Sequence, residues 1–142
     1  MRALGIDFGE RRIGLAMSDP EGIYALPSAT LARTSDAAAI AEIVALVARE
    51  GIAWIVVGEP RGPEGRLGAA AGRARSFAAK LARRTGLPVE TADETLTSRE
   101  ADARLREAGL SARERRGRRD ALAAQLLLEE ALARRARLRD GD

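Results

Sequence analysis

The sequence predicts an α/β fold: a mixed five-stranded sheet, three antiparallel strands and then parallel ones, with helices on both faces. Three observations carry this. Two β-type runs near the start are joined by a short Gly-containing turn, and a third follows closely. Helical apolar spacing then alternates with short apolar runs. The run "AWIVVG" (53–58) is continuously apolar, the pattern of a strand covered on both sides.

Residues 2–8 (RALGIDF) read as a buried strand and 13–18 (IGLAMS) as its antiparallel partner. The turn "GERR" lies between them, with Gly9 available for positive φ. A third strand is expected within 22–31, and Pro27 marks it as an edge strand or an irregular one. Residues 35–50 carry Ile40, Ile43, Val44 and Val47 at helical spacing, with Ser35 as N-cap and Gly51 as stop. The fourth strand follows at 53–58. Residues 60–72 hold two prolines and four glycines, a loop running into a helix over about 70–85 that ends at Gly86. "PVETAD" is the fifth strand. A helix from about Ser98 to Ala108 stops at Gly109, and a last helix starts near 118, with Asp120 close to its beginning. Strands and helices in this order form the strand plan of the ribonuclease H-like (RNase H-like) fold, with the first strand central. Residues 1–136 are read as one domain and 137–142 as a flexible C-terminal tail.

Composition narrows the chemistry. The chain has 142 residues, 46% of them hydrophobic, enough for one packed domain. It has no cysteine and no histidine, which excludes disulfides, thiolate chemistry, histidine general bases and most zinc sites. No apolar run reaches the roughly 20 residues of a membrane span, and the start lacks the regions of a secretory signal. A cytoplasmic location is expected. Lys80 is the only lysine among 24 basic residues. Genome composition and a phosphate-binding surface explain that bias equally well.

What remains for catalysis is carboxylate. Asp7 stands between Ile6 and Phe8 in the central strand, where an unpaired acid is costly. Glu59 ends the fourth strand, and Asp93 and Glu94 end the fifth. Parallel strands bring these ends to one edge, where open α/β sheets place their sites. Acids without histidine or cysteine suit hard cations such as Mg²⁺ or Mn²⁺. Two ions about 4 Å apart can clamp the attacking and leaving oxygens of a phosphodiester. Asp7, tolerable among apolar neighbours if cations are its partners, is placed to bridge them. Each acid also has a plainer reading. Glu59 suits a turn, Asp93 a cap for the next helix, and Asp120 an ion pair with Arg118 or Arg119.

Four motifs, "GIDFGERRIGLAMSD", "IVVGEPRGPEG", "DETLTSREA" and "RDALAAQLLLEEAL", resemble the YqgF family in order and spacing over nearly the whole chain. That family is also called RuvX or pre-16S rRNA nuclease, and elsewhere Holliday junction resolvase. The resemblance implies a metal-dependent nuclease of RNase H-like fold. Motif by motif, its acids fall on Asp7, Glu94 and Asp120. The sequence departs from the family pattern at Thr95, where an arginine is usual, and at Glu59, where the family reads "VVGLP". Glu59 could add to the metal site or compete with Glu94, which is the preferred second ligand.

Arg11 and Arg12 on the first turn, Arg61 and Arg66 in the glycine-rich loop, and Arg118 and Arg119 before Asp120 are candidate phosphate contacts. The alternative for each is a solvated surface. Aromatic residues are too few for a base-stacking platform. The implied substrates are structured RNA, with pre-16S rRNA 5′-end maturation in ribosome biogenesis first, or branched DNA in junction resolution. Pre-ribosomal particles are further possible partners, and a monomer or weak homodimer is expected. A non-catalytic RNA-binding assembly module is the alternative from another class, and the three acids argue against it. An actin-like phosphotransferase would need a second domain around its nucleotide.

Overall fold

Phe8 and Phe77, ring centroids 4.6 Å apart, meet beneath a sheet whose strands run in the order β3-β2-β1-β4-β5. The computed structural model describes residues 1–9, 11–60 and 68–141. Its elements are β1 (Arg2–Phe8), β2 (Arg12–Ser18), β3 (Ala25–Ala32), α1 (Asp36–Glu50), β4 (Ile52–Glu59), α2 (Ala69–Thr85), β5 (Val89–Asp93), α3 (Thr95–Glu107) and α4 (Ala112–Arg139). β1 pairs antiparallel with β2 and parallel with β4, so the first strand is central as expected. β3 is an edge strand, and its pairing with β2 slips between Leu15 and Ala16, opposite Ala29 and Pro27. Pro27 thus marks both an edge and an irregularity, because it has no N–H to give a ladder.

Alternation along the strands makes two cores. Leu4, Ile6 and Phe8 of β1 and Ile55 and Val57 of β4 face α1 and α2, packing on Ile40, Ile43, Phe77 and Leu81. Burying a side chain such as Ile43 is worth about 2 kcal/mol. Ala3 of β1 and Trp54 and Val56 of β4 face α4, through Ala124, Leu127 and Leu128. α3 packs on the side of α4, with Ala101 against Ala123 and Leu126. α1 begins at Ser35, whose hydroxyl accepts from the Ala38 N–H, and ends at Gly51 in the left-handed region, φ 66°.

Four expectations need correction. Gly9 does not take positive φ; its requirement is close approach, since a Cβ there would lie 2.6 Å from the Arg12 carbonyl oxygen. α3 begins at Thr95, three residues before the expected Ser98. α4 begins at Ala112, not near 118, under a capping box in which Ser111 and Glu114 exchange hydrogen bonds. Asp120 therefore lies about two turns inside α4. At the other end, α4 runs to Arg139, into the stretch read as tail. Just before that stretch, Arg134 and Arg135 pair with Glu90 at 3.4 and 3.6 Å, and Arg135 stacks 3.7 Å from the Trp54 ring centroid.

Candidate active site

Asp7 has a glycine on each side. Its register partners are Gly14 on β2 and Gly58 on β4, which leave the sheet face around its carboxyl without side chains. Both gaps are filled from outside the sheet. A Cβ on Gly14 would sit 2.0 Å from the Asp120 carbonyl oxygen, and one on Gly5 would sit 2.8 Å from that of Ala124. These two glycines let α4 lie directly on the strands and bring Asp120 beside Asp7. A Cβ on Gly58 would sit 2.5 Å from Glu94 Oε2. That glycine makes room for Glu94 on the other flank of Asp7.

Glu94 is fixed by its backbone. Its N–H donates to the Glu59 carbonyl at 3.2 Å, its own carbonyl accepts from Thr97 Oγ1 at 2.8 Å, and Asp93 Oδ1 caps the next turn by accepting from the Thr95 N–H at 3.0 Å. Asp93 thus lies one residue before the N-cap, Glu94, and holds the first N–H of α3, close to the capping part that its plainer reading gave it. Thr97, buried beside Glu94, escaped the sequence reading; the "DETLT" spacing of a threonine one turn after the acid was the available signal.

The electrostatics are those of crowded acids. Burial, then the hydrogen bond to Asp7, then the charges of Asp7, Asp120 and Asp93 push the Glu94 carboxyl up to about 10. Near neutrality Glu94 is therefore the proton donor to the Asp7 carboxylate. Asp7 is itself raised, chiefly by burial, with the Glu94 hydrogen bond pulling the other way and Asp120 adding repulsion. Glu94 Oε2 is buried with no hydrogen-bond partner. Such an atom costs about 1–3 kcal/mol or more when it is left unsatisfied.

Asp120 differs from the other two. Arg12 Nε lies 2.9 Å from its Oδ2, and Arg119 Nη2 lies 3.7 Å from Oδ1. Among the described residues no three acids stand in a ready metal-holding arrangement, and these two arginines occupy the third acid. The donor set still fits a hard cation. It is all carboxylate oxygen, one oxygen is orphaned, and Gly14 and Gly58 let Asp120 and Glu94 close in on Asp7 from both flanks.

Glu59 is not part of this cluster. Strand alternation turns it to the α2 face, where its Oε1 takes Arg75 Nε at 2.7 Å. Arg11 is exposed on the first turn, and Arg118 lines a hollow beside Pro27 and Thr30, away from the acids. Arg61 and Arg66 lie outside the described residues. Among the described residues no helix is long and apolar enough to cross a membrane.

A mixed sheet in this strand order, with helices on both faces, is the RNase H-like fold. The family model described as "RuvX: Holliday junction resolvase" matches residues 1–134, and the chain belongs to that family of nucleases. A Maridesulfovibrio salexigens relative is 41% identical over 94% of this chain and 99% of its own. One from Anaeromyxobacter sp. is 46% identical over 91% and 94%. Both are named "Putative pre-16S rRNA nuclease". In fold, the chain is similar to T. thermophilus RuvC in complex with a Holliday junction substrate, with TM-score 0.59 and 19% identity over 96% of each chain. It is similarly close to the Fowlpox virus resolvase bound to Holliday junction DNA, with TM-score 0.59 and 10% identity over 94% and 97%.

Proposed function

We propose that this protein is a divalent-metal-dependent endonuclease acting on structured RNA, maturing the 5′ end of pre-16S rRNA in the cytoplasm. Asp7, Glu94 and Asp120 are its metal-holding acids. One observation carries the site assignment: Glu94 is buried against Asp7 with an orphaned oxygen and, among the described residues, no basic side chain paired with it. The names of the curated relatives support the substrate. Mg²⁺ or Mn²⁺ bound there would neutralise phosphoryl charge and acidify a water molecule.

The chain's own residues set the conditions. Glu94 holds a proton on its carboxyl near neutrality and gives it up before its carboxylate takes a cation, so cation binding tightens as pH rises. Asp7, rigid on the central strand and flanked by glycines, faces both other acids. Arg12 and Arg119 neutralise Asp120 and, being more than two-fifths exposed, are free to exchange it for a substrate phosphate. Arg11, Arg61 and Arg66 are further phosphate contacts in this reading.

The test is cleavage of a matched precursor rRNA fragment and a four-way DNA junction, each with magnesium and with manganese. RNA cleavage lost on chelation is the expected result, and no metal-dependent cleavage of either substrate would overturn the reading. The family description favours a second reading, DNA junction resolution. Resolution needs two paired sites and hence a symmetric dimer. Junction cleavage by a stable dimer, with no RNA cleavage, would establish it instead.

A further inference from the structure

The arginines that open α4 divide by helical phase. Arg115, Arg116 and Arg119 share one face and, with Asp102 and Arg106 of α3, line a concavity of about 200 Å³ between the two helices. Arg118 falls on the other side, toward β3. The concavity thus gathers four guanidinium groups around one carboxylate. Arg115 is steadied by the turn between the helices, its Nη1 donating to the Leu110 carbonyl at 2.9 Å. Among the described residues no carboxylate pairs with Arg106 or Arg116. Arg119 closes the end of the concavity nearest the acids, 3.7 Å from Asp120.

Cations crowded this way repel one another and favour an anion between them, and planar guanidinium forks match phosphate oxygens. We propose that the α3–α4 cleft binds the phosphodiester backbone of the substrate to one side of the cleaved bond. This rests on the nuclease reading above and deepens it by giving the nucleic acid a path away from the acids. From Arg119 back to Arg115 is about 6 Å along the helix, close to two steps of a strand that rises about 3.4 Å per phosphate. The cleft therefore reads phosphates about two nucleotides from the cut, and substrates too short to reach it gain nothing from it.

The test is salt-dependent binding in a cleavage-dead Asp7→Asn background, with an RNA hairpin and a four-way DNA junction as probes. Arg106→Ala with Arg116→Ala should lower the salt slope by about 1.4 to 1.8, since each phosphate contact contributes about 0.7–0.9. The loss should vanish on a hairpin trimmed to one nucleotide beyond the cut. Asp102→Asn should move the other way, tightening binding of the long probe several-fold. It also keeps the question answerable if the double variant does not fold. An unchanged slope together with unchanged Asp102→Asn affinity, while the parent still binds, overturns the cleft and leaves the nuclease reading standing. Failure of the parent to bind either probe, with no cleavage by the unmutated chain, overturns both.

Discussion

Glu59 and Glu94 are both buried near the carboxyl edge of the sheet, one at the end of β4 and the other just past β5. They differ in what faces them. Glu59 is 1% exposed and meets a guanidinium at 2.7 Å, so its charge is matched inside the protein. Glu94 meets the charges of Asp7, Asp120 and Asp93 and keeps an orphaned oxygen. Burial alone does not separate the two; the lack of a paired base beside Glu94, among the described residues, does. A site left electrostatically unfinished by the fold is one that a ligand can complete.

The largest expected effect comes from the acid that Glu94 faces. Asp7→Asn should lower cleavage by about three orders of magnitude or more, several kcal/mol of transition-state stabilisation, in a steady-state assay at saturating metal. Because it removes one of the repelling charges, the variant should melt higher than the parent in chelator. Near-normal turnover would end the comparison, since the crowded acids would then have no catalytic part.

Next is the direct contrast. Glu94→Gln should abolish most activity, whereas Glu59→Gln should retain most of it and lose about 1–3 kcal/mol of stability from the altered ion pair. Activity and urea midpoints for both variants decide this. A greater activity loss at Glu59 would reverse their assignment.

Arg75→Ala sharpens the same contrast by giving Glu59 the surroundings of Glu94. It should cost about 2 kcal/mol, less than a fully buried pair would, because Arg75 is half exposed. Adding Glu59→Gln should restore much of the loss in chemical denaturation. No recovery in the double variant would show that Arg75 stabilises α2 by some other contact.

The last effect is a pH slope. Glu94 titrates near 4.5 when unfolded and at about 10 when folded. Between those values the folded chain binds the extra proton, so this group's contribution is fullest below pH 4.5 and declines as pH rises toward 10. In chelator, Glu94→Gln should therefore gain in Tm over the parent as pH increases from 5 to 9. A constant difference would mean that Glu94 is already ionised in the fold.

Much of this was legible in the sequence because local pattern and long-range placement agreed. The strand order followed from turn spacing and apolar runs, and Asp7 stood out as an acid among Ile6 and Phe8. Ser35, Gly51 and Pro27 acted through local backbone chemistry and behaved as read. The early start of α4 was missed because 112–118 has no apolar face to reveal a period, although Ser111 and Glu114 carry the capping-box spacing. The parts of Gly14 and Gly58 could not be read locally. Each is required by an atom of a distant element, Asp120 or Glu94, and neither needs positive φ. The separation of Glu59 from the cluster likewise depends on the β1–β4 register, which no local signal supplies.

The glycine seat of α4 also bears on when the enzyme becomes dangerous. Asp120 follows Asp7 by 113 residues in the chain, and the two meet only when α4 settles onto Gly5 and Gly14. At about 5–20 residues per second, on the order of ten seconds separate the two acids during synthesis. For that interval the growing chain lacks part of the proposed site, even with its first strands folded beside the ribosome's own RNA. On the proposed assignment, a chain truncated before Asp120 would be inert for the same reason.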